Sequence, residues 1–303
     1  MKFSIITICY NPGEVVASAV ESVLGQGYLD VEYIIVDGGS TDGSLDYLTK
    51  ISREDARVTL VSEPDEGLYD ALNKGVRLAT GDVIGFVHAD DFLAHADVIK
   101  HVAERFEDEA TEAVYGDLQY VAQGSPSGDS GWRMADGGSS DSRVSSEADS
   151  PSERNESAIH HQSLVIRHWR SGEYSRGKLK WGWMPPHPTL YLKRSVYDRA
   201  VLPNGEYFDT SFTCAADYDF MMRVFSTLHV SPVYLSEVMV KMRVGGVSNR
   251  SLKHILRKSA EDWRAIRRNK IGHLHTLVWK NLCKVPQFFR RWRRNDGGWR
   301  LRK

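Results

Sequence analysis

A chain of 303 residues with 41% apolar residues is long enough to fold as one large α/β unit with a tail. No run approaches the roughly 18 uninterrupted apolar residues of a spanning helix, so none is expected, and the start at Phe3 to Tyr10, without a basic, apolar and small-residue pattern, does not read as a secretory signal. Three cysteines, Cys9, Cys214 and Cys283, without paired metal spacing exclude a disulfide framework and point to a reducing compartment.

In chain order, Phe3 to Tyr10, Val31 to Asp37, Arg57 to Ser62 and Val83 to His88 read as buried parallel strands. Between them Glu14 to Leu24, Ser44 to Ile51 and Leu68 to Ala79 carry helical spacing. This alternation predicts a doubly wound sheet, whose ligands sit beyond the carboxyl ends of the strands. Tyr10, Asp37, the Glu63-Pro64-Asp65 turn and Asp90-Asp91 then converge on one rim. Residues 124–158 interrupt the order with 11 Ser and 5 Gly, too little apolar surface to offset ordering entropy, and read as a disordered acidic insertion. A lid over the rim is the alternative for that segment.

The run His88-Ala89-Asp90-Asp91 closes an apolar strand with two adjacent carboxylates. Such oxygen donors suit a hard divalent cation that also carries phosphate oxygens, although the pair would equally cap a helix beginning near His95. In Asp37-Gly38-Gly39-Ser40-Thr41-Asp42-Gly43 the glycines permit close backbone approach, and Asp42 or Ser40 is placed to cap the next helix. Lys74 sits on a predicted helix where it reaches phosphate as a point charge or stands as a solvated lysine. In Trp181-Gly182-Trp183-Met184-Pro185-Pro186-His187-Pro188-Thr189 the tryptophan faces suit sugar C–H faces and a neutral His187 suits metal or diphosphate; a proline-braced loop with core tryptophans is the alternative.

These motifs together resemble the family-2 glycosyltransferases, which adopt the GT-A fold. The resemblance rests on Ser4 to Asn11, Ile34 to Ser44, Gly67 to Gly75, Ala79-Thr80-Gly81-Asp82, His88 to Asp91, Pro186-His187-Pro188-Thr189 and Ala216-Asp217-Tyr218-Asp219-Phe220. It implies a Rossmann-like, mostly parallel twisted sheet flanked by helices over 1–250. It also implies that Tyr10 and Asp37 hold the nucleotide base and ribose, with Thr7 and Asp65 near the base. Asp90 and Asp91 become the candidates for Mn²⁺ or Mg²⁺, because His88 stands where many relatives carry an acid or Asn. Asp217 matches the family's general base, which implies one in-line, inverting displacement on a nucleotide-diphosphate sugar. Ala216 replaces an acid that many relatives carry, and Asp219 reads as a structural acid. The alternative for the whole chain is a catalytically silent GT-A domain acting as a membrane-associated scaffold. A nicotinamide oxidoreductase is excluded because Asn11-Pro12-Gly13-Glu14 lacks the three-glycine pyrophosphate fingerprint.

The near-neutral total hides a polarity. Residues 251–303 hold 16 Lys or Arg against 3 Asp or Glu, leaving an acidic body of net charge −14. Apolar residues at helical spacing, basic residues between them and Trp279, Trp292 and Trp299 predict an amphipathic helical tail on an anionic membrane surface. The competing readings are helices packed on the body with a solvated basic face, and nucleic-acid binding, which is not expected. The protein is thus expected on the cytoplasmic face of the inner membrane, acting on a glycan or lipid-linked acceptor in surface polysaccharide assembly.

Overall fold

The apolar runs of the N-terminal half form the parallel strands expected of them. The computed structural model describes residues 1–122, 164–244 and 252–282. In it β1 (Phe3–Cys9), β2 (Val31–Asp37), β3 (Val58–Ser62) and β4 (Val83–Phe86) alternate with α1 (Val16–Leu24), α2 (Ser44–Glu54) and α3 (Leu68–Leu78). β4 ends two residues earlier than its apolar run, and His88 to Asp90 turn into the short β5 (Asp91–Leu93). Then follow α4 (Val98–Arg105), β6 (Ala113–Val121), β7 (Val165–Trp169), α5 (Arg176–Lys180), β8 (Tyr191–Lys193), α6 (Arg194–Ala200), α7 (Ala216–Met222), β9 (Val233–Arg243), α8 (Leu252–Arg268) and α9 (Leu274–Leu282). The Ser- and Gly-rich segment 124–158 lies outside the described residues.

The strand order is β3-β2-β1-β4-β8-β6-β9-β5, with β7 paired to β6. β3, β2, β1 and β4 are mutually parallel, whereas β8 joins β4 and β6 antiparallel. β1 is buried at every position because helices cover both faces, which is why it reads as a continuous apolar run rather than an alternating one. The period of two sorts its neighbours: Ile6, Ile8, Ile34, Val36, Ile84 and Phe86 face one core, and Phe3, Ile5, Tyr33, Ile35, Val83 and Val87 the other. Gly75 lets α3 lie directly on β1, since a Cβ there would stand 2.5 Å from Ile6 Cγ2.

One buried amide ties this half to the rest of the chain. Asn73 Nδ2 donates to the Phe208 carbonyl at 2.8 Å, and its Oδ1 accepts from the Tyr207 and Phe208 N–H groups, each at 2.9 Å. Asn73→Ala would leave those buried backbone groups unpaired, at about 1–3 kcal/mol for each lost partner. The expected result is a loss of roughly 2–4 kcal/mol in stability, read from denaturant midpoints at unchanged slope. A loss below about 0.5 kcal/mol, the level of an ordinary surface substitution, would contradict the clamp.

Part of the expected tail belongs to this core. Ala265, Ile266 and Ile271 are buried in the cluster that contains α7, Trp263 and Leu277 pack against it, and Lys280 Nζ lies 2.8 Å from the buried Asp262 Oδ1. The chain from α8 to α9 is therefore packed on the body, while Leu256, Leu274, Val278, Trp279 and Leu282 remain exposed. Among the described residues no helix is long and apolar enough to cross a membrane.

Candidate active site

Tyr10, Gly38 and Asp65 meet at the carboxyl ends of β1, β2 and β3. Tyr10 is 66% exposed, so its ring face is presented to solvent and to a planar ligand. Gly38 makes the meeting possible: a Cβ there would stand 2.6 Å from Asp65 Oδ2 and 3.4 Å from the Tyr10 ring. Asp65 Oδ1 accepts from the Gly67 N–H at 2.8 Å, which leaves Oδ2 directed at Gly38.

Thr7 and Asp37, expected beside the nucleotide, are turned inward instead. Thr7 is fully buried, its hydroxyl donating to the Val87 carbonyl at 2.6 Å and sharing a 2.8 Å bond with Tyr33 Oη. Asp37 is fully buried too and braces its own loop, accepting from the Ser40 N–H at 3.0 Å, the Gly39 N–H at 3.1 Å and Ser62 Oγ at 2.7 Å, with a further bond from Ser40 Oγ. Burial alone would raise its carboxyl, but these bonds carry it below the ordinary value. Neither residue presents a free polar atom to the rim. Asp42 likewise bonds the Ser44 N–H and hydroxyl at the start of α2, as a residue placed before the helix does.

The turn after β4 brings His88 and Asp90 toward α7. Asp90 is half-buried, whereas Asp91, on β5, is 1% exposed and neither of its carboxylate oxygens has a hydrogen-bond partner. Burial, reinforced by the charge of Asp90, pushes the Asp91 carboxyl well above the ordinary value, against the pull of Arg243. Arg243 also donates to the Asp90 carbonyl at 3.1 Å and to Ser18 Oγ at 2.7 Å, tying β9 to this turn. The carboxylates do not cap α4, which starts at Val98 with Asp97 as its flanking residue. Two adjacent carboxylates, the inner one with orphaned oxygens, form a donor set that fits a hard divalent cation.

Asp217 stands in the first turn of α7, half-buried, and accepts a 3.2 Å hydrogen bond from Tyr69 Oη of α3. His187 lies beside it in the turn His187–Thr189, its ring stacked 5.2 Å from Phe86 and 6.1 Å from His88. His88 feels both Asp90 and Asp217, yet burial outweighs their charges and lowers its pKa. Phe208 completes the floor, 6.4 Å from Tyr69, 5.9 Å from His187 and 4.8 Å from Phe220. Sequence reading gave no role to Tyr69, Asn73 or Phe208: the first two lie inside the Gly67 to Gly75 motif without being singled out, and nothing in the sequence pointed to Phe208.

Burial, aided by His88 and opposed by Asp217, pushes His187 down to about 4. The unfolded ring titrates near 6.5, so between these values the unfolded chain binds the extra proton. The stability carried by the neutral ring is present above about pH 6.5 and drains away as pH falls toward 4. Denaturation at pH 7 and pH 4.5 should differ by roughly 2 kcal/mol in the wild type, and by clearly less in His187→Gln. An identical pH slope in the variant would contradict this assignment.

The remaining motif residues are structural in their contacts. Lys74 Nζ pairs with Glu63 at 3.0 Å and Asp70 at 3.3 Å and donates to the Pro64 carbonyl, stapling α3 to the β3–α3 turn rather than standing open to phosphate. Asp219 is buried, accepts from Asn269 Nδ2 at 2.9 Å and lies 3.8 Å from Arg268, joining α7 to the end of α8. Trp183 packs on Tyr115 and donates to the Ser171 carbonyl at 2.9 Å. Trp181 is exposed and forms, with Trp183, Trp279 and Lys178, the wall of a groove of about 470 Å³.

Solved structures share this architecture. The mannosyltransferase PcManGT from Pyrobaculum calidifontis, solved with GDP-Man and Mn²⁺, superposes with a TM-score of 0.56 at 14% identity, over 95% of this chain and 71% of that one. S. aureus TarS 1-349 with UDP-GlcNAc gives 0.55 at 14% identity, over 100% and 97%. The sheet, its flanking helices and these likenesses define the GT-A fold of glycosyltransferases.

The sequence pattern of Glycosyl transferase family 2 matches residues 4–189, and the chain belongs to that family. Among curated proteins, a PGL/p-HBAD biosynthesis glycosyltransferase of Mycobacterium bovis is 40% identical over 118 residues, 38% of this chain and 46% of that relative. An uncharacterized glycosyltransferase of Nostoc sp. is 38% identical over 92 residues, 30% of this chain and 29% of that relative. The aligned region thus spans about half or less of the length of these curated relatives.

Proposed function

We propose that the chain transfers a sugar from a nucleoside-diphosphate donor to an acceptor hydroxyl, with inversion at the anomeric carbon. The observation that carries this reading is the Asp217 carboxylate, held by Tyr69 at 3.2 Å, in the same neighbourhood as Asp90, the charges of both acting on the His88 imidazole that burial keeps neutral. The acceptor oxygen attacks the anomeric carbon while its proton passes to Asp217, and the bond from that carbon to the diphosphate oxygen breaks with its electron pair. Tyr69 orients the carboxylate of Asp217, and the neutral His88 and His187 add no positive charge that would hold the base in an unproductive ion pair. Tyr10 and Asp65 receive the base of the nucleotide. Asp90, backed by Asp91, would hold Mn²⁺ or Mg²⁺, which when bound supplies positive charge to the departing diphosphate. GDP-Man and UDP-GlcNAc, the donors in complex with the two solved structures of like fold, support a nucleotide sugar here.

The acceptor in this reading is a glycan or lipid-linked glycan. The groove walled by Trp181, Trp183 and Trp279 supports it, because indole faces stack on sugar C–H faces. Its outer wall adjoins the exposed apolar side chains of α9, and residues 283–303 add eight basic residues against one acidic residue, in keeping with an anionic membrane surface. Because α8 is built into the core, a truncation after Leu282 is the cleaner test of the tail. It should weaken binding to anionic vesicles at least about tenfold, some seven net charges being lost at about 1 kcal/mol each before screening. Unchanged vesicle binding would remove the membrane from this reading.

The reaction is tested by incubating the chain with a panel of UDP-, GDP- and dTDP-sugars in Mn²⁺ or in EDTA. Mn²⁺-dependent donor consumption is expected for at least one donor. Donor binding without hydrolysis or transfer from any of them would favour the scaffold.

A further inference from the structure

On the far side of the sheet from Tyr69 and Asp217, three metal-binding side chains from separate elements come together without a role in the transfer site. Glu237 lies on β9, His101 on α4 and His95 in the turn after β5. His101 Nδ1 is 2.9 Å from Glu237 Oε2, His95 Nε2 is 3.6 Å from Glu237 Oε1, and the three ligand atoms lie within 4.8 Å of one another. Glu237 Oε1 is buried and makes no hydrogen bond of its own.

We infer that His95, His101 and Glu237 form a zinc site. Two imidazole nitrogens and one carboxylate oxygen are a donor set that Zn²⁺ takes with a fourth position left for water. Bonds of about 2.0–2.1 Å set tetrahedral ligand atoms about 3.3–3.4 Å apart; the three ligand atoms here lie within 4.8 Å of one another, each histidine facing one oxygen of Glu237, so side-chain rotation brings them onto a common ion. The orphaned Glu237 oxygen gains a partner, and the partly exposed histidines leave an entry path. Ligation through His95 Nε2 moves that ring's proton to Nδ1 and gives up only a long 3.3 Å contact from the Asp97 N–H at the surface.

The site is separate from the carboxylate pair of the rim. Glu237 stands five residues before Met242, the residue of β9 that pairs with Asp91. At about 3.3 Å per residue that is roughly 16 Å along the strand. Zinc here clips together the turn after β5, α4 and β9, and so steadies the two strands that carry Asp91 and Arg243.

The test uses the untagged full chain, stripped of metal and titrated with Zn²⁺ by calorimetry without nucleotide. One zinc per chain is expected. His101→Gln and Glu237→Gln should each weaken it by more than about a hundredfold, since loss of a mere supporting partner already costs 10- to 100-fold. His95→Gln, at an exposed position where folding is least disturbed, should repeat the loss, and Asp90→Asn should not. Co²⁺ in place of zinc should give the intense visible bands of a tetrahedral site in wild type and lose them in Glu237→Gln. Zinc affinity unchanged in the His101, His95 and Glu237 variants, or abolished by Asp90→Asn, would overturn the assignment.

Discussion

Asp217→Asn is expected to lower kcat for sugar transfer by about two to four powers of ten, the usual contribution of positioned proton removal, with donor affinity changed less than about threefold. The amide keeps the shape of the carboxylate, and its oxygen still accepts from Tyr69 Oη, so the first turn of α7 stays in place. What is lost is the capacity to take a proton. Removing this charge also removes a force that favours protonated His88 and His187, so both rings remain neutral and no new cation compensates. Tyr69→Phe separates positioning from proton transfer: kcat should fall by only about tenfold or less, the value of a single hydrogen bond of about 1 kcal/mol. Wild-type kcat in Asp217→Asn would remove Asp217 as base.

Asp90→Asn should cost more in donor handling than in fold. Its side chain is half-buried at the mouth of the turn, and the backbone carbonyl, not the carboxylate, is what Arg243 holds. Replacing it therefore leaves the β5–β9 junction intact while removing the outer anionic donor. Transfer should fall by on the order of a hundredfold or more in kcat/KM, in line with loss of one preorganised electrostatic element. EDTA should abolish wild-type activity and Mn²⁺ restore it, whereas the variant should not be rescued at the same Mn²⁺ concentration. A variant that responds to Mn²⁺ as the wild type does would place the cation elsewhere.

The parallel half of the fold was legible because each strand is an apolar run buried on both faces and each connecting helix carries a 3.6-residue period. The meeting of strand ends at one rim follows from that topology, which is why Tyr10, Asp65 and Asp90 could be placed there from the strand pattern, whereas Asp217, on a helix far along the chain, was named only through the family resemblance. Direction within a strand end was less legible. Thr7 and Asp37 sit where a ligand would be reached, but the Tyr33 and Ser62 hydroxyls across the sheet satisfy them first. Lys74 is drawn to Glu63 and Asp70, a pairing visible only once the turn after β3 folds back on α3. Long-range partners were out of reach: the clamp of Asn73 on Phe208 and the convergence of His95 and His101 on Glu237 join residues more than a hundred positions apart. The basic tail misled in part, since the spacing that suits a membrane interface also suits packing on a core, and Ala265 and Ile266 took the second course.

Electron paramagnetic resonance of Mn²⁺ tests the central claim most directly, because it reads the cation at the carboxylate pair without requiring the acceptor. Adding the wild-type chain to Mn²⁺ and a nucleoside diphosphate should quench the six-line signal of free Mn²⁺ beyond the quenching by the nucleotide alone, and this excess should be equal in Asp217→Asn and absent in Asp90→Asn. Equal excess quenching in Asp90→Asn, or no excess over nucleotide alone in the wild type with any nucleotide tried, would contradict it.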